Sequence, residues 1–469
     1  MALEEETRPD RVRIGSGAGF AGDRTDAAIP VVAELARHDG PRFLMFETLA
    51  ERTLALCQLA RRNDPARGYS PALEKFLAPV LADCLASGIR IIGNFGAANP
   101  EAAAARIAAM ARDLGHAPRI GVVTGSDLDG RLSVADLAAR ETGGTLLAGR
   151  DAIVSADAYI GASAIARALD LGADIVVTGR VADPALALGP LLHVFGWAED
   201  DWDRLAAGTL AGHLLECGAQ VSGGYFADPG VKDVPDLANV GFPIAEIDRD
   251  GGIVISKPAG TGGRIDRFTV IEQMLYEIHD PAAYLTPDVV MDITAAQVDE
   301  IGRDRVRVSG VRGKPRPDTL KATVCFEAGW LAEAEISYSG PNAAGRARLA
   351  ADVVRQRLAR RAPGLGVRVD AIGIASVFND TAGATLDAVF DGSAPPDVRL
   401  RFAAQSTDRA ALDLLLDEVE GLYCAGPAGG GGVRRHLTAR LSSASCLVER
   451  AHTRPAARLF DACATEAAQ

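Results

Sequence analysis

The chain has few aromatic residues and no paired arrangement of cysteine or histidine. Aromatic side chains make up 5% of its 469 residues. The seven cysteines are scattered, form no Cys-X-X-Cys pair and are odd in number. This usage is typical of reduced thiols in the cytosol rather than of a disulfide scaffold. The seven histidines form no His-X-X-X-His or His-X-His pair. We therefore predict no metal site, unless one is assembled from distant segments.

Excess positive charge and long apolar runs are also missing. The chain carries 49 basic and 62 acidic side chains, a formal net charge of −13, whereas proteins that bind nucleic-acid phosphates need basic patches. No run approaches the roughly 18 apolar residues of a membrane helix. The opening residues Met-Ala-Leu-Glu-Glu-Glu have neither the basic start nor the apolar stretch of a signal peptide. We expect a cytoplasmic protein that binds neither nucleic acid nor membranes.

The first part of the chain alternates short β-rich runs with Ala- and Leu-rich helical stretches. Predicted strands cover residues 11–14, 43–46, 89–92, 120–123, 153–154 and 175–177. Predicted helices lie near residues 27–37, 49–61, 73–87, 101–114 and 162–171. Strands that alternate with helices indicate βαβ units, and hence an α/β fold with a parallel, Rossmann-like sheet covered on both faces.

The remainder of the chain changes character twice. Residues 190–300 are rich in Gly, Pro and Asp, with predicted helices over 209–220 and 270–279. Beyond them, residues 305–309, 321–326, 333–338 and 398–403 resemble antiparallel strands, and 344–360 and 410–422 resemble helices. This pattern is typical of an α+β domain. We predict two domains: a parallel α/β domain, 1–300, whose Gly- and Pro-rich insertions carry the site, and a smaller α+β domain, 301–469.

Candidate site residues follow the predicted strands, because ligands of open parallel sheets bind at the carboxyl ends of the strands. Asp23 and Arg24 end the first loop, residues 15–24, as a reactive carboxylate and an anion clamp. Arg180 and Asp183 repeat this pairing after a later strand. The alternative for both pairs is a mutual ion pair that fixes the loop. Two further candidates for substrate binding at strand ends are Glu47 and Asn94.

The first loop also fits a dinucleotide fingerprint. Gly17-Ala-Gly19-Phe-Ala-Gly22 matches Gly-X-Gly-X-X-Gly, and Glu47 would bind a ribose hydroxyl. The fingerprint glycines should open the helix, however, and here four residues intervene, while Pro30 indicates that the helix begins only later. We therefore favour a glycine-rich substrate loop, with Gly17 and Gly19 close to the ligand.

The middle segment adds a candidate acid and base. Glu216 lies on a mainly apolar helix, where a carboxylate is costly unless it is paired or reactive. His213 precedes it by three residues and shares its face, so we predict a catalytic His213–Glu216 pair. Cys217 is either a reactive thiol or a buried one. Its place towards the C-terminal end of the helix disfavours a thiolate.

Two glycine-rich segments are further candidates. Lys257 precedes the glycines at 260, 262 and 263, so the segment is not a P-loop. The amides of Gly260, Gly262 and Gly263 are nevertheless predicted to form an anion nest with Lys257 as counter-charge. The second segment, residues 426–432, contains no basic or hydroxyl side chain. It indicates either a hinge or close backbone packing.

Several longer strings resemble one family. They are AGDR at 21–24, IIGNFGAANP at 91–100, ADIVVTGRVADPALALGPL at 174–191, HLLECGAQVSGGYFADPG at 213–230, GFPIAEI at 241–247, SKPAGTGGRI at 256–265, LYEIHDPAAYLTPDVV at 275–290 and GPAGGGGVR near 426–434. These strings are similar to the acyclic terpene utilisation (AtuA-type) family, over about residues 10–450.

The resemblance implies a role in bacterial breakdown of citronellol- and geraniol-type acids through CoA thioesters. We expect a hydratase- or lyase-type enzyme on an anionic acyl-CoA substrate, with Asp23, Asp183 or Glu216 as the base and Asn94 and the glycine amides as donors. No cofactor is required beyond the CoA moiety of the substrate. The resemblance also implies a small partner subunit, and we expect a homo-oligomer. The alternatives are a non-catalytic subunit of an acyl-CoA-processing complex and an NAD(P)-dependent oxidoreductase.

Overall fold

A computed structural model describes residues 9–389 and 396–461. The chain forms two compact units. Unit 1 contains residues up to 325 and from 443 onwards, and unit 2 contains residues 326–442. In the described ranges, none of the helices combines the length and apolar character needed to cross a membrane.

The strands are β1 (Arg11–Ala18), β2 (Arg42–Phe46), β3 (Arg90–Gly93), β4 (Ile120–Thr124), β5 (Glu141–Thr142), β6 (Ser155–Ala158), β7 (Ile175–Thr178), β8 (Ile244–Asp248), β9 (Ile253–Ser256), β10 (Tyr284–Leu285), β11 (Val290–Asp292), β12 (Gln297–Gly302), β13 (Arg305–Ser309), β14 (Arg312–Lys314), β15 (Thr319–Ser339), β16 (Arg368–Ile372), β17 (Asp397–Ser406), β18 (Gly431–Glu449) and β19 (Ala456–Leu459). The helices are α1 (Ala28–Leu35), α2 (Glu51–Asn63), α3 (Leu73–Leu77), α4 (Leu81–Ser87), α5 (Pro100–Asp113), α6 (Val134–Ala138), α7 (Ser163–Asp170), α8 (Ala185–Phe195), α9 (Trp202–Glu216), α10 (Arg267–Leu275), α11 (Ala343–Arg361), α12 (Ala384–Val389), α13 (Arg409–Glu420) and α14 (Leu422–Ala425).

A ten-stranded mixed sheet forms the centre of unit 1, in the order β12-β13-β9-β8-β1-β2-β3-β7-β4-β19. The five strands β1, β2, β3, β7 and β4 pair in parallel, and the strands beyond them pair antiparallel. Their apolar runs are buried on both faces because helices cover both sides. The predicted α/β class with a parallel core is therefore confirmed, within a larger mixed sheet.

Three predicted elements differ from the structure. Residues 153–154 are not a strand of the parallel sheet, and the strand that follows them, β6, pairs antiparallel with β15. The helix predicted over residues 73–87 is two helices, α3 and α4, because Pro79 between them cannot donate a helical hydrogen bond. The helix predicted over 209–220 begins earlier, at Trp202, and ends at Glu216.

The first glycine loop is the most informative difference. Strand β1 continues to Ala18, so residues 15–18 are strand rather than loop. A Cβ atom on Gly15 would collide with Val31 of α1, and one on Gly17 would lie 2.5 Å from the ring of Phe46. These glycines permit close packing inside the protein. As predicted, the following helix begins later, at Ala28, with Pro30 in its first turn.

The last third of the chain is divided differently from the prediction. We predicted a boundary at residue 300, but β13 pairs with β9 and β12 in the large sheet of unit 1. Residues 321–326 and 333–338 belong to one 21-residue strand, β15. The structure places the division after Cys325, and the chain returns to unit 1 at Ser443.

Unit 2 is an antiparallel sheet in the order β16-β17-β15-β18, with helices packed against it. Alternate residues of β15 and β17, such as Ile336 and Phe402, are buried against α11 and α13. Buried residues alternate with less buried ones along the strands, and each helix has one apolar face. These two patterns produce the α+β arrangement.

Candidate active site

Unit 1 contains a cavity of about 1240 Å³ at the carboxyl ends of the parallel strands, lined entirely by residues of that unit. Its acidic lining residues are Asp23, Glu47, Glu51, Asp183, Glu216 and Glu277. Its cationic lining residues include Arg24, Arg180 and Lys321. The structure thus brings together the charged residues predicted after β1, β2 and β7 and the one on α9.

Glu47 is a carboxyl group that stays protonated at neutral pH. It follows β2 and is 8% exposed. Burial raises its pKa to about 8, and the nearby charge of Asp183 contributes in the same direction. Its Oε1 accepts hydrogen bonds from the Leu49 amide at 2.8 Å and from Asn94 Nδ2 at 2.9 Å. Because Oε1 accepts both bonds, the proton is expected on Oε2.

Asn94 lies behind this carboxyl group and does not line the cavity. Its side chain is completely buried. Its Oδ1 accepts from the Thr48 amide at 2.8 Å while Nδ2 donates to Glu47. This geometry makes Asn94 a positioning residue for Glu47, rather than the substrate-binding donor predicted from the sequence.

Arg180 is a buried cation whose donors are all directed at the protein. Its Nε donates to the Val181 carbonyl at 2.8 Å, and its two Nη atoms donate to the Leu49 carbonyl and to Asp183. Asp183 exposes 34% of its side chain, but into the cavity rather than to bulk solvent. Burial accordingly raises its pKa, although the adjacent Arg180 opposes the shift. The predicted Arg180–Asp183 pair therefore exists as an ion pair.

A tyrosine lies between two cations beside that pair. The ring centroid of Tyr159 is 4.5 Å from the Arg180 guanidinium carbon and 4.7 Å from Lys321 Nζ. Its hydroxyl donates to Glu51 Oε1 at 2.6 Å, and Lys321 Nζ lies 3.4 Å from the same oxygen. We did not predict Tyr159, Glu51 or Lys321. Only Glu51 carried a signal, as a carboxylate shortly after the β2 strand end.

His213 and Glu216 form the pair predicted on α9. The Nε2 atom of His213 donates to the Gln273 carbonyl at 2.9 Å, and Nδ1 lies 2.9 Å from Glu216 Oε1. Burial raises the pKa of Glu216, although the hydrogen bond to His213 lowers it. Burial opposes protonation of His213, but the hydrogen bond to Glu216 raises its pKa overall. One proton is therefore held between the two side chains.

The second oxygen of Glu216 is the one available for chemistry. Oε2 is buried and has no hydrogen-bond partner among the described residues, and the side chain lines the cavity. A buried carboxylate oxygen without a donor is a strong acceptor, since nothing else satisfies it. His213 thus contacts Oε1 of Glu216 and does not line the cavity, whereas Oε2 of Glu216 remains free.

Asp23 and Arg24 lie at the cavity, as predicted, and do not form the mutual ion pair that was the alternative to a role in the site. Asp23 accepts from the amides of Gly19 and Arg24, both at 2.8 Å. The guanidinium of Arg24 instead binds both oxygens of Asp26 at 3.0 Å. Burial raises the pKa of Asp23, and its two backbone hydrogen bonds oppose the shift. Asp23 thereby fixes the loop on which it lies.

The glycines of the fingerprint leave little room for a dinucleotide. Gly17 does not line the cavity. Gly19 does, but a Cβ atom on it would collide with the backbone of Cys217. Both positions require glycine, because another segment of the protein packs directly against the backbone at each of them. This packing disfavours the binding of a pyrophosphate by the motif.

The predicted anion nest at residues 260–263 lies outside the cavity. Lys257 Nζ forms an ion pair with Asp304 at 3.3 Å and donates to the Thr261 carbonyl. The amides of Gly262 and Gly263 donate to the carbonyls of Asn239 and Pro235, each at 2.8 Å. Gly260 does not line the cavity either. The structure does not bring this segment to Glu47 or Glu216.

Cys217 is a cavity residue with a neutral thiol. It caps the C-terminus of α9, and burial, together with the charge of Glu216, raises its pKa. A thiol held protonated is a poor nucleophile. Among residues 9–389 and 396–461, no three His, Cys, Asp or Glu side chains are grouped so that they could hold a metal ion.

The protonation of Glu47 makes stability depend on pH. Its pKa is 4.5 in the unfolded chain and about 8 in the fold, so the folded state binds more protons between these values. Stability is therefore lost as pH rises across this window, by at most about 1.4 kcal/mol per pH unit. We expect Glu47→Gln to become more stable relative to the wild type between pH 5 and pH 8, as measured by urea unfolding.

Glu51→Gln is the matched control for this experiment. Burial raises the pKa of Glu51, but the hydrogen bond from Tyr159, a backbone hydrogen bond and the charges of Lys321 and Arg180 together lower it below its usual value. Glu51 is therefore ionised in both states across the same window, and its variant should keep a constant difference from the wild type. A constant difference for Glu47→Gln would contradict the assignment of a protonated Glu47.

Comparisons with known proteins give one match. A family model described as acyclic terpene utilisation family protein AtuA matches residues 12–459. No curated protein and no solved structure matches the chain. The matched range spans nearly the whole sequence and includes every cavity residue named above. The chain belongs to the acyclic terpene utilisation family.

Proposed function

We propose that the cavity of unit 1 is the active site of a lyase, of hydro-lyase type, on a CoA thioester or related carboxylate of acyclic terpenoid breakdown. One observation carries the proposal: a single cavity holds Glu47, a protonated carboxyl group, and Glu216, whose free oxygen accepts protons. Asp183 adds negative charge that raises the pKa of both. The pKa of both groups is raised, but their partners differ: Glu216 shares a proton with His213, whereas Glu47 is bonded to amide donors. Two carboxyl groups in such different surroundings are the usual mark of an acid and a base.

The two carboxyl groups match the steps of a dehydration. Glu216 Oε2 removes the proton from the carbon next to the thioester carbonyl, and that electron pair forms the carbon–carbon double bond. The bond to the hydroxyl on the next carbon breaks, and Glu47 donates its proton so that water leaves. Hydration is the reverse. The resting His213–Glu216 pair already shares one proton, so the proton that Glu216 Oε2 gains gives the pair a positive charge, which offsets the negative charge left on Glu47.

The walls of the cavity suit a branched acyl chain. Apolar side chains include those of Leu49, Phe242, Leu285 and Leu320. A substrate of this class pairs a hydrocarbon tail with an anionic or thioester head. Pockets of this kind are mostly apolar with a few polar groups that fix orientation. The apolar lining is therefore suited to contact the hydrocarbon tail, and a cationic side chain must bind the anionic head group.

Lys321 is the cation best placed for an anionic head group. Arg24 is bound to Asp26, and Arg180 is bound to Asp183 and to carbonyl groups. Lys321 also pairs with Glu51, at 3.4 Å, but its side chain remains 51% exposed and its ammonium group has further donors for a ligand. We expect Lys321→Met to raise KM at least about tenfold with little change in kcat, because one charge-assisted hydrogen bond is lost. Steady-state kinetics measure both constants, with a substrate found in the thioester panel described below.

Lys314→Met is the matched control. Its side chain is 52% exposed, forms an ion pair with Asp292, and does not line the cavity. It should leave both kinetic constants unchanged. An equal rise of KM in both variants, or none in Lys321→Met, would contradict the role of Lys321.

The function itself is tested with a panel of 3-hydroxyacyl- and 2-enoyl-CoA thioesters of branched acyclic acids. The ultraviolet absorbance of the conjugated thioester reports the reaction in either direction. Hydration of the 2-enoyl-CoA thioester in D₂O should place one deuterium on the carbon next to the carbonyl group of the product. If the purified chain turns over no thioester but a partner protein restores activity, the alternative of a non-catalytic subunit replaces this proposal.

A further inference from the structure

The glycine loop of unit 2, residues 426–432, has features that the cavity chemistry does not use. It connects α14 to β18, and its residues are exposed or half-buried. Within the described ranges, the amide of Gly429 donates no hydrogen bond to a protein atom, and the amide of Gly430 closes only a loose turn over residues 427–430. Adjacent amides that are free or only loosely bonded are potential donors to an anion.

A cation lies directly under this loop. Arg346 of α11 donates from Nη1 to the Ala428 carbonyl at 2.7 Å and from Nη2 to the carbonyls of Ser339 and Pro341 at 2.6 and 3.0 Å. All three acceptors are neutral, so no carboxylate among the described residues balances the charge. Nη1 lies 2.8 Å from the position that a Cβ atom on Gly429 would occupy.

The glycine at position 431 is not explained by the fold. A Cβ atom there would meet no atom within 4 Å, and its φ is not in the left-handed region. Neither packing nor backbone conformation therefore requires glycine. The close approach of a ligand to the backbone does require it, since any side chain would occupy the ligand's space.

An unsatisfied hydroxyl group lies on the inner side of the loop. Tyr338 is fully buried, and its Oη has no hydrogen-bond partner among the described residues. Oη lies 3.0 Å from the position of a Cβ atom on Gly430, so it points at the loop. A buried polar atom without a partner is rare in folded proteins. The Tyr338 hydroxyl is thus a donor beneath the loop that no described protein group uses.

We propose that residues 429–432 and Arg346 bind a phosphate group. The two amides and the uncompensated guanidinium match its charge and its several acceptor oxygens. Neither the state of these amides nor the cation is visible in the motif itself, which contains no basic or hydroxyl residue. The phosphate is either free or part of a larger ligand such as CoA. This proposal is independent of the lyase chemistry of unit 1.

Gly431→Ala tests the proposal without disturbing the fold. Calorimetric titration of the whole protein with inorganic phosphate should give saturable binding in the wild type. Gly431→Ala should weaken it at least tenfold while the melting temperature stays unchanged, because the added methyl group meets only the ligand. Arg346→Gln should weaken phosphate binding as well, through the lost charge.

Gly366→Ala is the matched control, since a Cβ atom at this glycine of unit 2 also meets nothing within 4 Å. It should bind phosphate as the wild type does. Parallel titrations with CoA and dephospho-CoA distinguish the sources, because only CoA carries the 3′-phosphate. No saturable phosphate binding by the wild type, or equal binding by Gly431→Ala, would overturn the proposal.

Discussion

Replacing Glu216 by glutamine is expected to lower kcat by a factor on the order of 10²–10⁴, the usual contribution of a positioned acid or base. The substitution keeps the shape of the side chain and removes its ability to take a proton. The glutamine amide can still donate to His213 Nδ1, so the pair stays hydrogen-bonded and the fold should be retained. Single-turnover kinetics, with circular dichroism as the check on folding, measure the effect.

His213 should behave as a positioning residue, because it touches Glu216 and not the substrate. Its hydrogen bond lowers the pKa of Glu216 against the effect of burial. In His213→Gln the pKa of Glu216 should therefore rise, and the acidic limb of the kcat/KM profile should move to higher pH. A purely structural role would lower activity without moving that limb.

Glu277→Gln is the control for the loss of rate, since Glu277 lines the same cavity and has no step in the proposed reaction. Its charge raises the pKa of Glu216, so this variant should move the acidic limb to lower pH, opposite to His213→Gln. Its rate should stay within a few-fold of the wild type. A folded Glu216→Gln protein that turns over substrate at the wild-type rate would show that another group is the base. Asp183 would then be the next candidate, because its charge already acts on both carboxyl groups.

The sequence predicted the parts of this site that depend on local pattern. Apolar β-rich runs located the five parallel strands, and the direction of those strands decided which loops share an edge. Glu47, Arg180 and Asp183 follow from that reasoning, since each comes directly after a strand. Glu216 and His213 follow from helical periodicity, because residues three apart share a face.

Long-range packing is what the sequence does not contain. Gly15 and Gly17 fit a ligand loop by pattern, yet they are needed because Val31 and Phe46 approach them from other segments. Lys257 fits an anion site by pattern, yet Asp304 neutralises it. Lys321 reaches the cavity from a strand predicted to lie in the other domain. Each outcome depends on a tertiary contact that no local motif encodes.

Arg180→Met should destabilise unit 1 by about 3–5 kcal/mol, the usual result of removing one partner of a buried ion pair. The guanidinium is 1% exposed and bonds Asp183 and the Leu49 and Val181 carbonyls. Without it, the Asp183 carboxylate has no partner, and two carbonyl groups lose a donor. The loss should grow as the pH rises and Asp183 ionises, because its carboxylate then has no cation beside it, whereas Glu47 stays protonated up to about pH 8.

A double-mutant cycle in urea separates these causes. Arg180→Met/Asp183→Asn should recover part of the lost stability, since the unpaired charge is removed with its partner. Arg106→Met is the control: its pair with Glu74 is exposed at the surface, where such pairs contribute about 0–1 kcal/mol. If Arg180→Met cost no more than Arg106→Met, the buried ion pair would add no more stability than a surface pair. Arg180 lowers the pKa of Glu47, so loss of the cation should raise that pKa further, and Glu47 should stay protonated at neutral pH in the variant.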